Sequence, residues 1–169
     1  MTKSLREILE SVKTSSVHGN LDVEICGITS DSRKVAPGML FVAVRGVNVD
    51  GHNYISAAIS AGATAIVAED YREDCEGVTY VSVENSAIAL GFIASAWYDN
   101  PSQKIKLVGV TGTNGKTTIA TLIYEMARLM GYKAGLLSTV VNYVDTEAVA
   151  STHTTPDPIE LNELLHRMV

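Results

Sequence analysis

The residues best suited to chemistry fall in one run, LVGVTGTNGKTT, from Leu107 to Thr118. An apolar stretch feeds a loop that holds Gly112 and Gly115. Lys116, Thr117 and Thr118 then open a segment with helical spacing. Such a loop suits a polyphosphate: glycines let backbone N–H groups converge on phosphate oxygens, and a helix N-terminus adds partial positive charge. Lys116 would reach the β- and γ-phosphates, and the Thr117 hydroxyl would serve as a ligand to Mg²⁺. The expected polyphosphate-binding set is therefore Gly112, Thr113, Asn114, Gly115, Lys116, Thr117 and Thr118, with Lys116 the catalytic cation and Thr117 the metal ligand. The strict pattern G-x-x-x-x-G-K-[ST] would place glycine at position 110, where this chain has Val110.

Positioning that loop requires a strand before it and a helix after it. The pattern predicts a strand over Ile105–Val110, a helix over Thr117–Met130 and a second strand over Lys133–Leu137. Val140–Val149 reads as extended and compatible with a hairpin, and Asp145 at its middle is a candidate for the acid that often faces such loops. The segment Asp157–Val169 sets Leu161, Leu164, Leu165 and Met168 on one helical face. A sheet with two or three strands and a helix stopping mid-pattern points to the front portion of a longer protein, with apolar surface left exposed in this second unit.

The residues ahead of Asn100-Pro101-Ser102 carry their own alternation. A short amphipathic helix is expected around Leu5, Ile8, Leu9 and Val12. Strands are expected at Asp22–Asp31, Met39–Val44, Ala65–Ala68 and Thr79–Val83, with helices at Asn53–Gly62 and Ser86–Tyr98. Strands alternating with helices define an α/β fold. The chain divides into a domain at 1–102 and the incomplete start of a second at 103–169.

Composition narrows the partners. Hydrophobic residues make up 46% and charged residues 19% of the 169, which excludes disordered and fibrous classes. The net charge of −6 argues against broad nucleic-acid binding, which needs a basic field. No stretch has the about 20 apolar residues of a membrane span, and the N-terminus is no export signal. Cys26 and Cys75 lack metal-ligand spacing and read as thiols of a reducing, cytoplasmic compartment. His18, His52 and His166 likewise show no ligand spacing.

The order T-G-T-N-G-K-T-T resembles the ATP loop of the Mur ligase superfamily, whereas GTPases, kinases and most ATPases keep the earlier glycine. Folylpolyglutamate synthetases usually show G-K-G-S here. Upstream, TSDSRKVAPGMLFVAVRG (Thr29–Gly46) and DGHNYISAAISAGATAIVAE (Asp50–Glu69) resemble the uridine-nucleotide domain shared by MurE-type and MurF-type ligases. The G-T-N-G-K-T-T loop matches the MurE type, as does STHTTPDPIELNELLHRMV (Ser151–Val169), in which a Thr-Thr pair meets substrate.

That resemblance implies a fold and an activity. The fold is a small N-terminal α/β uridine-nucleotide domain followed by the truncated start of a P-loop-type ATP domain. The activity is ATP- and Mg²⁺-dependent addition of a third amino acid, diaminopimelate favoured over lysine, to UDP-N-acetylmuramoyl-L-alanyl-D-glutamate through an acyl phosphate. It implies substrate contacts from Ser30, Ser32, Val47, Asn48 and Val49, and from His153, Thr154 and Thr155, His153 occupying a position where Asn also occurs. Read on their own, Ser30 and Ser32 could equally be turn caps, Asp31 and Arg33 a structural pair, and Thr154–Thr155 a helix N-cap region. The whole enzyme is expected to be a cytoplasmic monomer without nucleic-acid or membrane partners, and the 169-residue chain alone inactive in ligation. The rival expectation is a non-catalytic nucleotide-binding module. An enzyme gene would run on for roughly 250 residues or more, a stand-alone module would not.

Overall fold

The apolar runs of the first hundred residues become adjacent parallel strands in the computed structural model, which describes residues 1–46, 49–72, 75, 77–150 and 157–169. These residues divide into two compact units, Met1–Trp97 and Tyr98–Val169, against a boundary expected after residue 102.

The first unit runs β1 (Lys3–Ser4), α1 (Leu5–Ile8), β2 (Thr14–His18), β3 (Glu24–Ile25), β4 (Gly27–Thr29), β5 (Met39–Val42), α2 (Ile55–Ser60), β6 (Ala65–Ala68), β7 (Thr79–Val83) and α3 (Ser86–Trp97). Its main sheet has the order β2-β7-β6-β5-β4. The four strands from β4 to β7 are parallel, and β2 runs antiparallel to β7. Strands buried on both faces read as continuous apolar runs rather than alternating ones, and every residue of β6 and β7 is buried. Phe41, Ile66 and Tyr80 pack with Ile55 and Ala58 of α2 in one cluster. Ile93, Ala94 and Trp97 of α3 are buried, as are Leu5 and Ile8 of α1.

Several expected elements come out differently. The first helix stops at Ile8 instead of reaching Val12. A capping box starts it, with Ser4 Oγ accepting from the Glu7 N–H and Glu7 Oε2 from the Ser4 N–H, but the chain then turns to place 14–18 beside β7. The single strand expected over Asp22–Asp31 splits at Cys26, whose N–H donates to the Gly38 carbonyl. β3 pairs with β1, and β4 joins the main sheet. The helix expected from Asn53 begins as a 3-10 turn over Gly51–Tyr54, capped by Asp50.

The second unit holds α4 (Lys116–Leu129), β8 (Gly135–Leu136), a hairpin of β9 (Val141–Val144) and β10 (Glu147–Ala150), and α5 (Pro158–Met168). The three strands form an antiparallel sheet, order β10-β9-β8. Ile105–Val110 is not a strand. An apolar run becomes one only where neighbouring strands take its N–H and C=O groups, and none among the described residues pairs with it. Leu107 and Val108 are exposed, as are Ile119, Leu122, Met126 and Leu129 of α4. The strand expected over Lys133–Leu137 shrinks to Gly135–Leu136, where α5 returns so closely that Met168 leaves no room for a Cβ on Gly135. Asp145 is a turn residue, with φ 50°, whose carbonyl accepts the Tyr124 hydroxyl at 2.6 Å.

Candidate nucleotide sites

The loop of the second unit is built on two glycines in backbone conformations that L side chains rarely adopt. Gly112 has φ 147° and Gly115 has φ 78°. A Cβ at Gly112 would find its nearest neighbour, the Asn114 carbonyl, at 3.8 Å, so the space above the loop is open. Gly115 is the N-cap of α4 and offers no side chain, so the first-turn N–H groups have no side-chain acceptor. Fourteen residues of helix lie behind them, with the positive end of the dipole facing the loop. Lys116 folds back over this end, its Nζ donating to the Gly112 carbonyl at 2.7 Å and the Thr113 carbonyl at 3.3 Å. Thr117 is half-buried beside it.

All seven residues expected to hold ATP thus lie on one loop and helix start. Six of them, Thr113 to Thr118, border a hollow of about 1340 Å³ that also includes Val108, Leu136 and Ser138. Its size exceeds the roughly 300–1,000 Å³ of ordinary ligand clefts, leaving room for a nucleoside triphosphate. The donor set is that of an anion site: converging backbone N–H groups and one ammonium. It fits a polyphosphate. For Mg²⁺ the loop offers the Thr117 hydroxyl, and no cluster of three or more metal-ligating side chains occurs among the described residues.

In the first unit, Ser30 and Ser32 follow the carboxyl end of β4. The turn there is held by other residues. Thr29 Oγ1 accepts from the Asp31 N–H at 3.1 Å, and the Asp31 carboxylate accepts from the Arg33 N–H at 3.0 Å and pairs with the Arg33 guanidinium at 2.9 and 2.8 Å. The Arg33 side chain, then its backbone N–H, holds the Asp31 carboxyl down at about 2. Neither serine caps the turn, and their half-buried hydroxyls have no hydrogen-bond partner among the described residues. Ligands of open parallel sheets bind outside the carboxyl ends of the strands, which is where both serines lie. Val49, beyond β5, is 56% exposed. Val47, Asn48, His153, Thr154 and Thr155 lie outside the described residues.

Residue typing missed one group at the same edge. Arg45, Asp50, His52 and Glu69 form a connected set of ion pairs and hydrogen bonds. The signal was the pair Arg45 and Asp50-Gly51-His52 flanking a short loop, which metal-ligand spacing does not detect.

A parallel-sheet unit, followed by a glycine loop that opens a helix with the donor set of an anion site, defines the class as α/β. Comparison with known proteins narrows this class. The model described as "Mur ligase family, catalytic domain" matches residues 24–98, and "Mur ligase middle domain" matches residues 110–169. The chain belongs to the Mur ligase family. It is 56% identical over 165 residues to a UDP-N-acetylmuramoyl-L-alanyl-D-glutamate–2,6-diaminopimelate ligase of Bacteroides fragilis, covering 97% of this chain and 34% of that protein. It is 55% identical over 166 residues to the ligase of the same name from Parabacteroides distasonis, covering 98% and 34%. A solved structure of a UDP-N-acetylmuramoyl-L-alanyl-D-glutamate–2,6-diaminopimelate ligase superposes with TM-score 0.71 at 25% identity, over 98% of this chain and 33% of that one. A MurF crystal structure from Acinetobacter baumannii shares the fold, with TM-score 0.64 at 19% identity over 99% and 33%. The chain spans about a third of the length of the curated relatives it matches.

Proposed function

We propose that this chain is the uridine-nucleotide and ATP-engaging part of an ATP-dependent amide ligase of peptidoglycan synthesis. The whole protein joins a third amino acid, diaminopimelate in preference to lysine, to UDP-N-acetylmuramoyl-L-alanyl-D-glutamate. The observation that carries this reading is the open, uncapped N-terminus of α4 with Lys116 poised above Gly112. The names of relatives above 50% identity supply the substrates.

Each unit has its own task. Ser30, Ser32, Val47, Asn48 and Val49 engage the uridine-diphosphate part, and His153, Thr154 and Thr155 the sugar or peptide part. Gly112–Thr118 cradle the triphosphate by backbone N–H groups, and Lys116 leaves its loop carbonyls for the β- and γ-phosphates. The D-glutamyl carboxylate attacks the γ-phosphorus, an O–P bond forms, and the bond to ADP breaks. The amine of the incoming amino acid then attacks the acyl carbon, phosphate departs, and the ammonium proton is lost to solvent. Lys116 and the helix end stabilise charge that builds on the transferring phosphoryl group. Thr117 Oγ1 would hold Mg²⁺ on this chain, and the ion would supply further charge neutralisation at the phosphates. No helix of the described residues is long and apolar enough to cross a membrane. We take the whole protein to work as a cytoplasmic monomer on soluble substrates, without nucleic acid.

The test is phosphate release by the whole protein with ATP, Mg²⁺, the UDP-muramoyl dipeptide and a panel of amino acids. Release that depends on both the dipeptide and diaminopimelate is expected. Release independent of any amino acid would contradict the reading.

A further inference from the structure

Loops leave the carboxyl ends of β5, β6 and β7, and one set of contacts ties them together. After β5, Val44–Gly46 and Val49–Gly51 close on each other: the Gly51 N–H donates to the Val44 carbonyl at 2.8 Å, and the Gly46 N–H to the Val49 carbonyl at 3.0 Å. A Cβ on Gly51 would sit 2.7 Å from the Val44 oxygen, and one on Gly46 would sit 2.9 Å from the Val49 oxygen. The loop therefore closes backbone on backbone.

His52 carries that loop to β6. Its Nε2 lies 2.9 Å from the Glu69 nitrogen, which can only donate, so Nε2 accepts and the ring proton belongs on Nδ1. Nδ1 then donates to Asp50 Oδ1 at 2.7 Å. Both ring nitrogens are committed, which leaves His52 neither a base nor a metal ligand. Glu69 continues the chain. Its Oε1 accepts from the Ser86 N–H at 3.0 Å and the Ser86 hydroxyl at 2.9 Å, at the start of α3. The Arg45 guanidinium closes the circuit, meeting Glu69 Oε2 at 3.2 Å, Asp50 Oδ2 at 3.7 Å and the Asp70 carboxylate.

We propose that Arg45, His52 and Glu69 are positioning residues for uridine-nucleotide recognition: they lock the paired ends, Val44–Gly46 and Val49–Gly51, to β6 and α3 before ligand arrives. The proposal rests on the uridine reading of the first unit. Backbone ends fixed in advance do not spend binding free energy on their own ordering. With the lock removed, those ends must be fixed on binding, and affinity for the nucleotide falls while the glycine loop of the second unit is untouched.

The experiment is calorimetric titration of the whole chain with UDP, and separately with ATP and Mg²⁺, for wild type, His52→Ala, His52→Gln and Arg45→Gln. Wild type is expected to bind UDP, and His52→Ala to bind it about tenfold more weakly. His52→Gln, whose Oε1 can still accept from the Glu69 N–H, should return most of that loss, with ATP affinity equal in all four. UDP binding by His52→Ala at wild-type strength would overturn the proposal and leave the uridine reading standing. Equal losses in His52→Gln and His52→Ala would mark a packing role and also overturn it. Absence of UDP binding by wild type would sink the uridine reading and the proposal together. Should His52→Ala fail to melt cooperatively, Arg45→Gln at its half-exposed guanidinium decides in the same way, by weakened or unchanged UDP affinity.

Discussion

Lys116 and Gly112 are joined across the phosphate loop, ammonium to carbonyl, at 2.7 Å. The lysine is thus held over the mouth of its own loop by neutral acceptors, the second being the Thr113 carbonyl. Ionised phosphate oxygens are stronger acceptors, because hydrogen bonds between two charged groups are roughly twice as strong as neutral ones. On the proposed reading, nucleotide binding exchanges singly charge-assisted contacts for ion pairs.

Replacing Lys116 with Ala removes the loop's ammonium and no buried contact, since Lys116 is exposed. ATP affinity should fall by about 10- to 100-fold, from the roughly 1.5–3 kcal/mol of a hydrogen bond to a charged group. The melting profile should stay unchanged. In the whole protein the same substitution should abolish ligation. Titration of ATP into the variant checks the first point, and a wild-type affinity would contradict it.

Asp31 gives a pH dependence of known sign. Its folded-state pKa of about 2 lies below the ordinary 3.8, so its charge stabilises the fold above about pH 4. That contribution is lost as pH falls towards 2. Asp31→Asn keeps an oxygen for the Arg33 N–H but loses the charge. Its melting temperature should lie below wild type at pH 7, with the gap narrowing steadily as pH falls from 4 towards 2. A gap independent of pH would show that the Arg33 pairing contributes nothing.

At Gly51 the backbone of Val44 stands where a side chain would go. Gly51→Ala must push the 44–51 loop outward, at a cost of about 1–3 kcal/mol. Denaturant unfolding of the first unit should shift accordingly, and UDP affinity should weaken with it. An unchanged midpoint would mean that the loop base is not tightly closed.

Much of this was legible from residue types, and the failures share one cause. β6 and β7 were readable because continuous apolar runs such as Ala65–Ala68 need two buried faces. α3 and α4 were readable because Pro101 and the Lys-Thr-Thr start punctuate them. The glycine turn into α4 was legible, since Gly112, Gly115 and Lys116 lie close together in sequence. β2 was missed because Thr14–His18 is an exposed edge strand of polar residues, recruited by β7 and not by its own pattern. Ile105–Val110 was over-read because apolar composition cannot supply pairing partners. His52 was set aside because its partners, Glu69 and Asp50, matter through a backbone N–H and a tautomer, neither of which spacing reveals.

The central claim is that each unit holds its own nucleotide, uridine in the first and ATP in the second. Amide chemical-shift mapping of the isotope-labelled chain, titrated with UDP and then with ATP and Mg²⁺, tests it most directly. UDP is expected to move the amides of Ser30, Ser32 and Val49 and to leave Gly112–Thr118 in place, while ATP does the reverse. Both nucleotides moving the same amides, or UDP leaving Ser30 and Ser32 unmoved at millimolar concentration, would contradict the account.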